Sequence, residues 1–395
     1  MTTLKILTLV AGISFLSSGK PSDIRHSGNN SNNSHLVVRN ASSNITIRDN
    51  KIQVALLLDT SNSMDGLIDQ AKSRLWNIVN TLTTLKYNGQ APQIEIALYE
   101  YGNDGIRDEN YIRQVTPLTQ DLDLVSEKLF ALKTNGGSEY CGAVIRDASN
   151  NLNWDANEKS MKLMYIAGNE PFDQGKINYK DVITKAKSKN IYTNTIFCGS
   201  RSEGIESYWQ NGATIGGGKY FNIDSDKKVI YIETPYDIRI SECNAKLNDT
   251  YIYYGNHGSE YKMKQIVQDK NAETQSVSNL VERTVSKSKK NAYKNEHWDL
   301  VDKAEKDAGF ITNIKQSELP DDLKGKSSEE IKKRIAIKSA ERGKIQKEIE
   351  ELSRKRQTYI DREMKKRGAG DSDDLGKAIE TSINDLARKM GYSSL

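Results

Sequence analysis

Val54-Ala55-Leu56-Leu57-Leu58-Asp59-Thr60-Ser61-Asn62-Ser63 is the stretch that decides how this chain folds. A short all-apolar run is the pattern of a strand buried on both faces. Asp59 ends the run, and Ser61 and Ser63 follow at alternate positions. One carboxylate and two hydroxyls spaced i, i+2, i+4 form a cluster of hard oxygen donors. The cluster stands at the carboxyl end of a strand, where open α/β sheets place their ligands. It also lies beside the start of a helix expected near Asp65. Asp and Ser before a helix are ordinary caps and turn formers too. Capping explains one or two of these residues, and both roles can hold together.

Working outward, residues 52–222 alternate strand and helix. Strands are predicted at 52–58, 94–101, 112–116, 162–167, 191–197 and 219–221. Helices are predicted between them, at 65–85, 121–133, 141–152, 178–189 and 203–212. Strands separated by helices of this length imply a mostly parallel sheet covered on both faces. Residues 112–116 follow their neighbour through a polar loop with no helix between. They are the expected antiparallel edge strand.

The Asp-x-Ser-x-Ser pattern after a hydrophobic strand resembles the metal-ion-dependent adhesion site of von Willebrand factor A (vWA) domains. Six strands with one antiparallel edge agree with that Rossmann-like, doubly wound α/β fold. The resemblance covers about 170 to 210 residues. The resemblance extends to uncharacterised bacterial vWA proteins with a long helical tail. It implies a divalent cation, Mg²⁺ or else Mn²⁺ or Ca²⁺, with a coordination position left for a partner's acidic side chain. The family site also needs a Thr from a second loop and an Asp from a third. Thr134-Asn135-Gly136-Gly137-Ser138-Glu139 resembles the second loop and puts Ser138 at the threonine position, with Thr134 as the neighbouring alternative. Gly136 and Gly137 would let the backbone approach the ion. The third loop, Ala167-Gly168-Asn169-Glu170-Pro171, departs from the pattern, because Gly168 falls where the Asp should be. Asn169 or Glu170 could substitute through a small loop shift. The expected metal set is thus Asp59, Ser61, Ser63 and Ser138, with Asn169 and Glu170 nearby.

The chain has 395 residues, enough for two domains or for one with a long appendage. A mean hydropathy of -0.68 is too polar for several membrane spans. The start is basic at Lys5, apolar from Ile6 to Leu16, and small at Ser17-Ser18-Gly19. That pattern predicts a signal peptide over 1–19, and an uncleaved membrane anchor is the alternative. The location expected is therefore extracytoplasmic, periplasmic or secreted. Residues 20–50 form an Asn/Ser-rich leader of disordered composition, with N-x-S/T sequons at Asn29, Asn32, Asn40 and Asn44. The three cysteines, Cys141, Cys198 and Cys243, are too few for a disulfide framework. Cys141 and Cys198 are the candidate disulfide pair, since both are expected at the carboxyl edge of the sheet.

The vWA domain with its extension is expected over 51–260, and a helical or coiled-coil region over 261–395. Helices are predicted at 263–290, 328–366 and 374–390, with Gly368-Ala369-Gly370 breaking the chain between the last two. In the middle one Ile331, Ile335, Ile345, Ile349, Leu352 and Tyr359 form an imperfect heptad seam, interrupted by Lys338, Arg342 and Arg356. Such a seam must pack on another helix, either the tail's own segments 263–290 and 374–390, which is favoured, or a second copy of the chain. The tail is expected to behave as a separate unit joined around residues 255–275. Residues 329–367 carry 14 basic and 8 acidic side chains, which raises nucleic-acid binding. Secretion and the interspersed Glu residues favour a solvated face instead.

No Walker loop, nucleophile elbow, His-Glu-x-x-His or Cys-x-x-Cys occurs, and no catalytic set is found. The expectation is a non-enzymatic module that binds a protein or other acidic ligand through metal. The alternative is a structural protein with a degenerate metal site, whose helical tail mediates assembly.

Overall fold

The computed structural model describes residues 50–227, 229–366 and 375–394. The expected signal segment, nearly all of the leader and the glycine break at 368–370 lie outside the described residues. Strands are β1 (Lys51–Asp59), β2 (Leu85–Lys86), β3 (Gln93–Tyr101), β4 (Ile112–Thr119), β5 (Met161–Gly168), β6 (Ile191–Cys198), β7 (Gly217–Ile223) and β8 (Ser393–Ser394). Six of them form one sheet in the order β4-β3-β1-β5-β6-β7. Every pair is parallel except β3–β4, so the edge strand is antiparallel as its helix-free connection implies. The chain order reverses at β1, between β3 and β5. Asp59 therefore ends the strand at the switch point, where flanking loops part and leave a crevice.

Alternation along β1 explains the two layers. Ile52, Val54, Leu56 and Leu58 face one core, and Ala55 and Leu57 face the other. The second core is closed by α3 (Cys141–Asn151), α4 (Tyr179–Ser188) and α6 (Trp209–Gly216), with Trp209 and Phe172 buried among them. The first core is closed by α1 (Asp65–Thr83), α2 (Leu122–Phe130) and α13 (Leu375–Lys389). The short helix α5 (Arg201–Glu206) is split from α6 at Tyr208, whose φ of 71° breaks the single helix expected over 203–212.

A separate helical unit joined through residues 255–275 is not what forms. The described residues make one compact unit. The last helix explains why. Leu375, Ile379, Ile383 and Leu386 recur at helical spacing and are buried in the first core beside α1. Tyr165 of β5 and Ser382 share a 2.6 Å hydroxyl hydrogen bond, and Lys219 of β7 pairs with Asp385. The C-terminal helix thus covers the sheet itself.

Of the intervening chain, α8 (Gly258–Gln275) and α9 (Val277–Lys287) pack on α1 and α2, and α7 (Asp237–Asn248), α10 (Leu300–Lys306), α11 (Phe310–Asn313) and α12 (Ser328–Lys366) pack on α9 or on one another. The single helix expected over 263–290 is divided at Ser276. That residue is extended, and its hydroxyl accepts from Asn279 N–H to cap α9. The seam of α12 packs within the chain, Ile349 against Cys243 and Leu247 of α7, and Ile331 and Ile335 against Leu300, Val301 and Ile311. Arg342 and Arg356 do not interrupt this seam. Arg342 is buried, bonds Asp299 at 2.8 Å, Asp302 at 2.6 Å and the Thr250 carbonyl at 2.9 Å, and stacks on Tyr251. Arg356 bonds Asp237 at 2.9 Å. Lys338 is partly buried and pairs with Glu341 along the helix. Packing of α12 on 263–290 or 374–390 is mostly replaced by packing on α7, α10 and α11.

Candidate metal centre

The site forms where β1, β3 and β5 end side by side. Asp59 is fully buried, because its strand is central and flanked on both edges. Its Oδ1 accepts the Ser61 N–H at 2.7 Å, which turns the chain tightly out of the strand. The Ser61 and Ser63 hydroxyls lie 3.3 Å apart, and Asn169 Nδ2 donates to Ser63 Oγ at 3.2 Å. The first and third loops are thereby brought together. The second loop is held by the backbone: Thr60 N–H donates to Tyr101 O at 2.9 Å, and Asn135 N–H donates to Thr60 O at 3.0 Å.

Ser138 is half-buried in this second loop, directly before Glu139. The alternative Thr134 spends its hydroxyl on Asp65. The close approach at Gly137 is to protein backbone: a Cβ there would lie 2.5 Å from the Gly102 carbonyl oxygen. Gly137 therefore serves packing of the second loop on the turn after β3, while a Cβ on Gly136 would make only ordinary contact with Asn62 and Asp104. Glu170 turns its carbonyl to Trp209 Nε1, at 2.8 Å, which fixes the third loop to α6.

Gly168 has a physical partner in Tyr101. A Cβ at Gly168 would stand 2.5 Å from Tyr101 Oη and 2.9 Å from Asp59 Oδ2. Tyr101 is itself buried and donates its hydroxyl to the Ala167 carbonyl at 2.9 Å. The space a third-loop aspartate would need is filled by a ring that cannot swing aside. Gly168→Asp is therefore expected to cost about 1–3 kcal/mol of stability through overpacking. Thermal melting checks this, and an unchanged melting temperature would contradict the assignment of Tyr101 as the obstacle.

Cys141 and Cys198, the candidate disulfide pair, are both free and buried, as is Cys243. Cys198 belongs to the first core and Cys141 to the second, so the two approach from opposite faces of the sheet. Burial pushes both thiols well above their ordinary range, which keeps them neutral and unreactive.

Glu139 is the residue that the sequence pattern does not single out. It is 7% exposed and lies near Asp59, since a Cβ on Gly102 would touch both side chains. Burial pushes the Asp59 carboxyl up to about 7; the Ser61 N–H and hydroxyl pull it down, and Glu139 and Glu170 push it further up. Burial also raises Glu139, and Glu170 adds to the shift. A divalent cation fits this donor set. Asp59 Oδ2 and Asn169 Oδ1 are buried without any hydrogen-bond partner. Unpartnered acceptors at the mouth of a crevice suit an ion or a water as partner. Among the described residues no three or more His, Cys, Asp or Glu side chains form a ready metal cage, so any ion depends on the serine hydroxyls.

Among solved structures, the chain is similar to the conserved hypothetical protein BatB from Bacteroides thetaiotaomicron, at 16% identity and a TM-score of 0.34, over 44% of this chain and 90% of that one. It is similar to the SpRpn10 VWA domain at 16% identity and a TM-score of 0.33, over 44% and 88%. Proximal thread matrix protein 1 from the mussel byssus, described with a zinc-occupied MIDAS motif, matches at 13% identity and a TM-score of 0.34, over 45% and 43%. No curated protein sequence matches the chain. The model of the von Willebrand factor type A domain matches residues 53–229, which span β1 to just past β7. That segment of the chain belongs to the von Willebrand factor type A family.

Proposed function

We propose that this protein is a non-enzymatic, extracytoplasmic binding module that engages a protein or other acidic ligand through a divalent cation. Asp59, Ser61, Ser63 and Ser138 would hold the ion, with Asn169 and Glu170 at the rim. The preferred ion is Mg²⁺, with Mn²⁺ or Ca²⁺ as substitutes, because every donor is a hard oxygen. When bound, the ion supplies a Lewis-acidic position for an incoming carboxylate. The chain's residues do the rest. The buried Asp59 fixes the charge, the Ser61 N–H bond orients its carboxylate, and the Asn169–Ser63 bond ties the third loop to the first.

The observation that carries this reading is the orphaned Oδ2 of a fully buried aspartate at the switch point of the sheet. The basic-then-apolar start of the chain supports an extracytoplasmic location. Among the described residues no helix is long and apolar enough to cross a membrane.

Isothermal titration of the wild type with Mg²⁺ and Mn²⁺ tests the proposal. Asp59→Ala is expected to abolish binding, and equal binding by that variant would defeat the assignment. A structural scaffold is the second reading, favoured by the filled space at Gly168. It is the conclusion if the wild type binds neither ion.

A further inference from the structure

Gly168 leaves the third loop without its carboxylate, yet a second carboxylate does lie beside Asp59. A Cβ on Gly102 would fall 2.7 Å from Glu139 Cγ and 2.9 Å from Asp59 Oδ1. The two acids thus converge on one bare patch of backbone, at a glycine whose φ is +76°. We infer that Glu139 supplies the second anionic ligand to a divalent cation at Asp59, in place of the carboxylate the third loop lacks. This rests on the metal-binding reading of the Asp59 site.

Four observations support it. Glu139 is 7% exposed, and its electrostatic neighbours are Glu170 and Asp104, both acidic. Among the described residues no Lys or Arg forms an ion pair with it. A buried carboxylate without a cationic partner is expensive unless an ion completes its surroundings. Glu139 Cγ and Asp59 Oδ1 both fall within 3 Å of the place a Cβ on Gly102 would take, so the two acids share one locus. Independently of the acids, Asn169 Oδ1 is an unpartnered buried acceptor in the adjoining loop, and the fully buried Asp59 leaves Oδ2 unpartnered. Tyr101 bars a carboxylate at position 168, so a second anionic ligand must come from another position.

Glu139 is also held firmly. Its N–H donates to Gln174 Oε1 at 3.0 Å, and α3 begins two residues later. That anchoring uses only the backbone, which leaves the carboxylate available.

The test is titration of the full chain with Mn²⁺ alone, by calorimetry and by the electron paramagnetic resonance signal of free Mn²⁺. Glu139→Gln keeps shape and removes charge. It is expected to weaken Mn²⁺ binding by at least about tenfold, since affinity follows ligand charge. Circular dichroism melting should show a folded variant. If the wild type binds, Asp59→Ala does not and Glu139→Gln binds like the wild type, the inference is overturned while the metal reading stands. Loss in Glu170→Gln but not in Glu139→Gln also overturns it and puts the second carboxylate on the third loop. No binding by the wild type defeats both. Should the glutamine variant fail to fold, Glu139→Asp carries the test. Its shortened carboxylate should weaken binding, and unchanged affinity would overturn the inference.

Discussion

A chain ending at Lys366 is expected to lose its cooperative melt and to accumulate in the insoluble fraction. Such a truncation removes α13, and with it Leu375, Ile379, Ile383, Leu386 and Tyr392, all buried in the first core. Each fully buried side chain of this size contributes about 1.5–3 kcal/mol relative to exposure. Five of them rival the whole stability of a typical domain, about 5–15 kcal/mol. Polar contacts go too: Gln70 Oε1 accepts the Leu375 N–H at 3.1 Å, and Tyr392 Oη donates to the Lys159 carbonyl at 2.8 Å. The newly bared surface is the face of a sheet, an aggregation-prone template. Ile383→Ala is the milder version and should cost about 2–5 kcal/mol. A soluble truncated chain that melts near the full-length temperature would show that α13 is an accessory.

The second large effect is expected at Asp269. Arg283, fully buried, lies over Trp76 and donates to Asp269 at 2.6 Å, to Asp123 at 2.7 Å and to the Gln265 carbonyl at 3.0 Å. Lys287, 1% exposed, donates to both Asp269 oxygens and to Asn244 and Asn248. This cluster joins α2, α7, α8 and α9 behind α1. Asp269→Ala leaves two buried cations facing one carboxylate, Asp123. The loss should be about 3–5 kcal/mol, the usual result of breaking a buried ion pair on one side. Replacing a whole pair by apolar groups would cost far less, so the single substitution is the informative one. Burial alone would raise the Asp269 carboxyl, but Lys287 and Arg283 outweigh it and hold it well below the ordinary 3.8. A depressed carboxyl stabilises the fold fully above its unfolded value, and that stability disappears as pH falls through the folded value. Acid unfolding of the wild type should therefore steepen below about pH 4, and Asp269→Ala should flatten that limb. Equal acid limbs for the two proteins would refute this.

The central sheet was legible because strands buried on both faces must be apolar throughout, and 54–58, 94–98 and 163–167 are nearly so. The edge strand was legible from its helix-free connection. Asp59, Ser61 and Ser63 were legible because they are local, three donors within five residues of a strand end. The role proposed for Glu139 was not, since it depends on proximity to a loop 80 residues earlier. The one available signal was its place directly after Ser138. The buried arginines of α12 misled for a related reason. Charge inside a hydrophobic seam reads as an interruption until its partners, Asp299 and Asp237, are known. The amphipathic pattern of 375–389 identified a helix, but periodicity names no partner, and the helix lies on a sheet rather than on its neighbours in sequence.

That last contact also sets a timetable. Tyr165 and Ser382 are 217 residues apart, and Gln70 and Leu375 are 305 apart. The sheet's strands can pair long before the chain that covers them has been made. Loop closure over such separations is slow, and the transition must recruit the most distant segment to seal the apolar face. During synthesis the incomplete molecule presents that open face to its surroundings. Refolding from denaturant should accordingly show a late phase, in which the sheet is formed and its cover is still arriving.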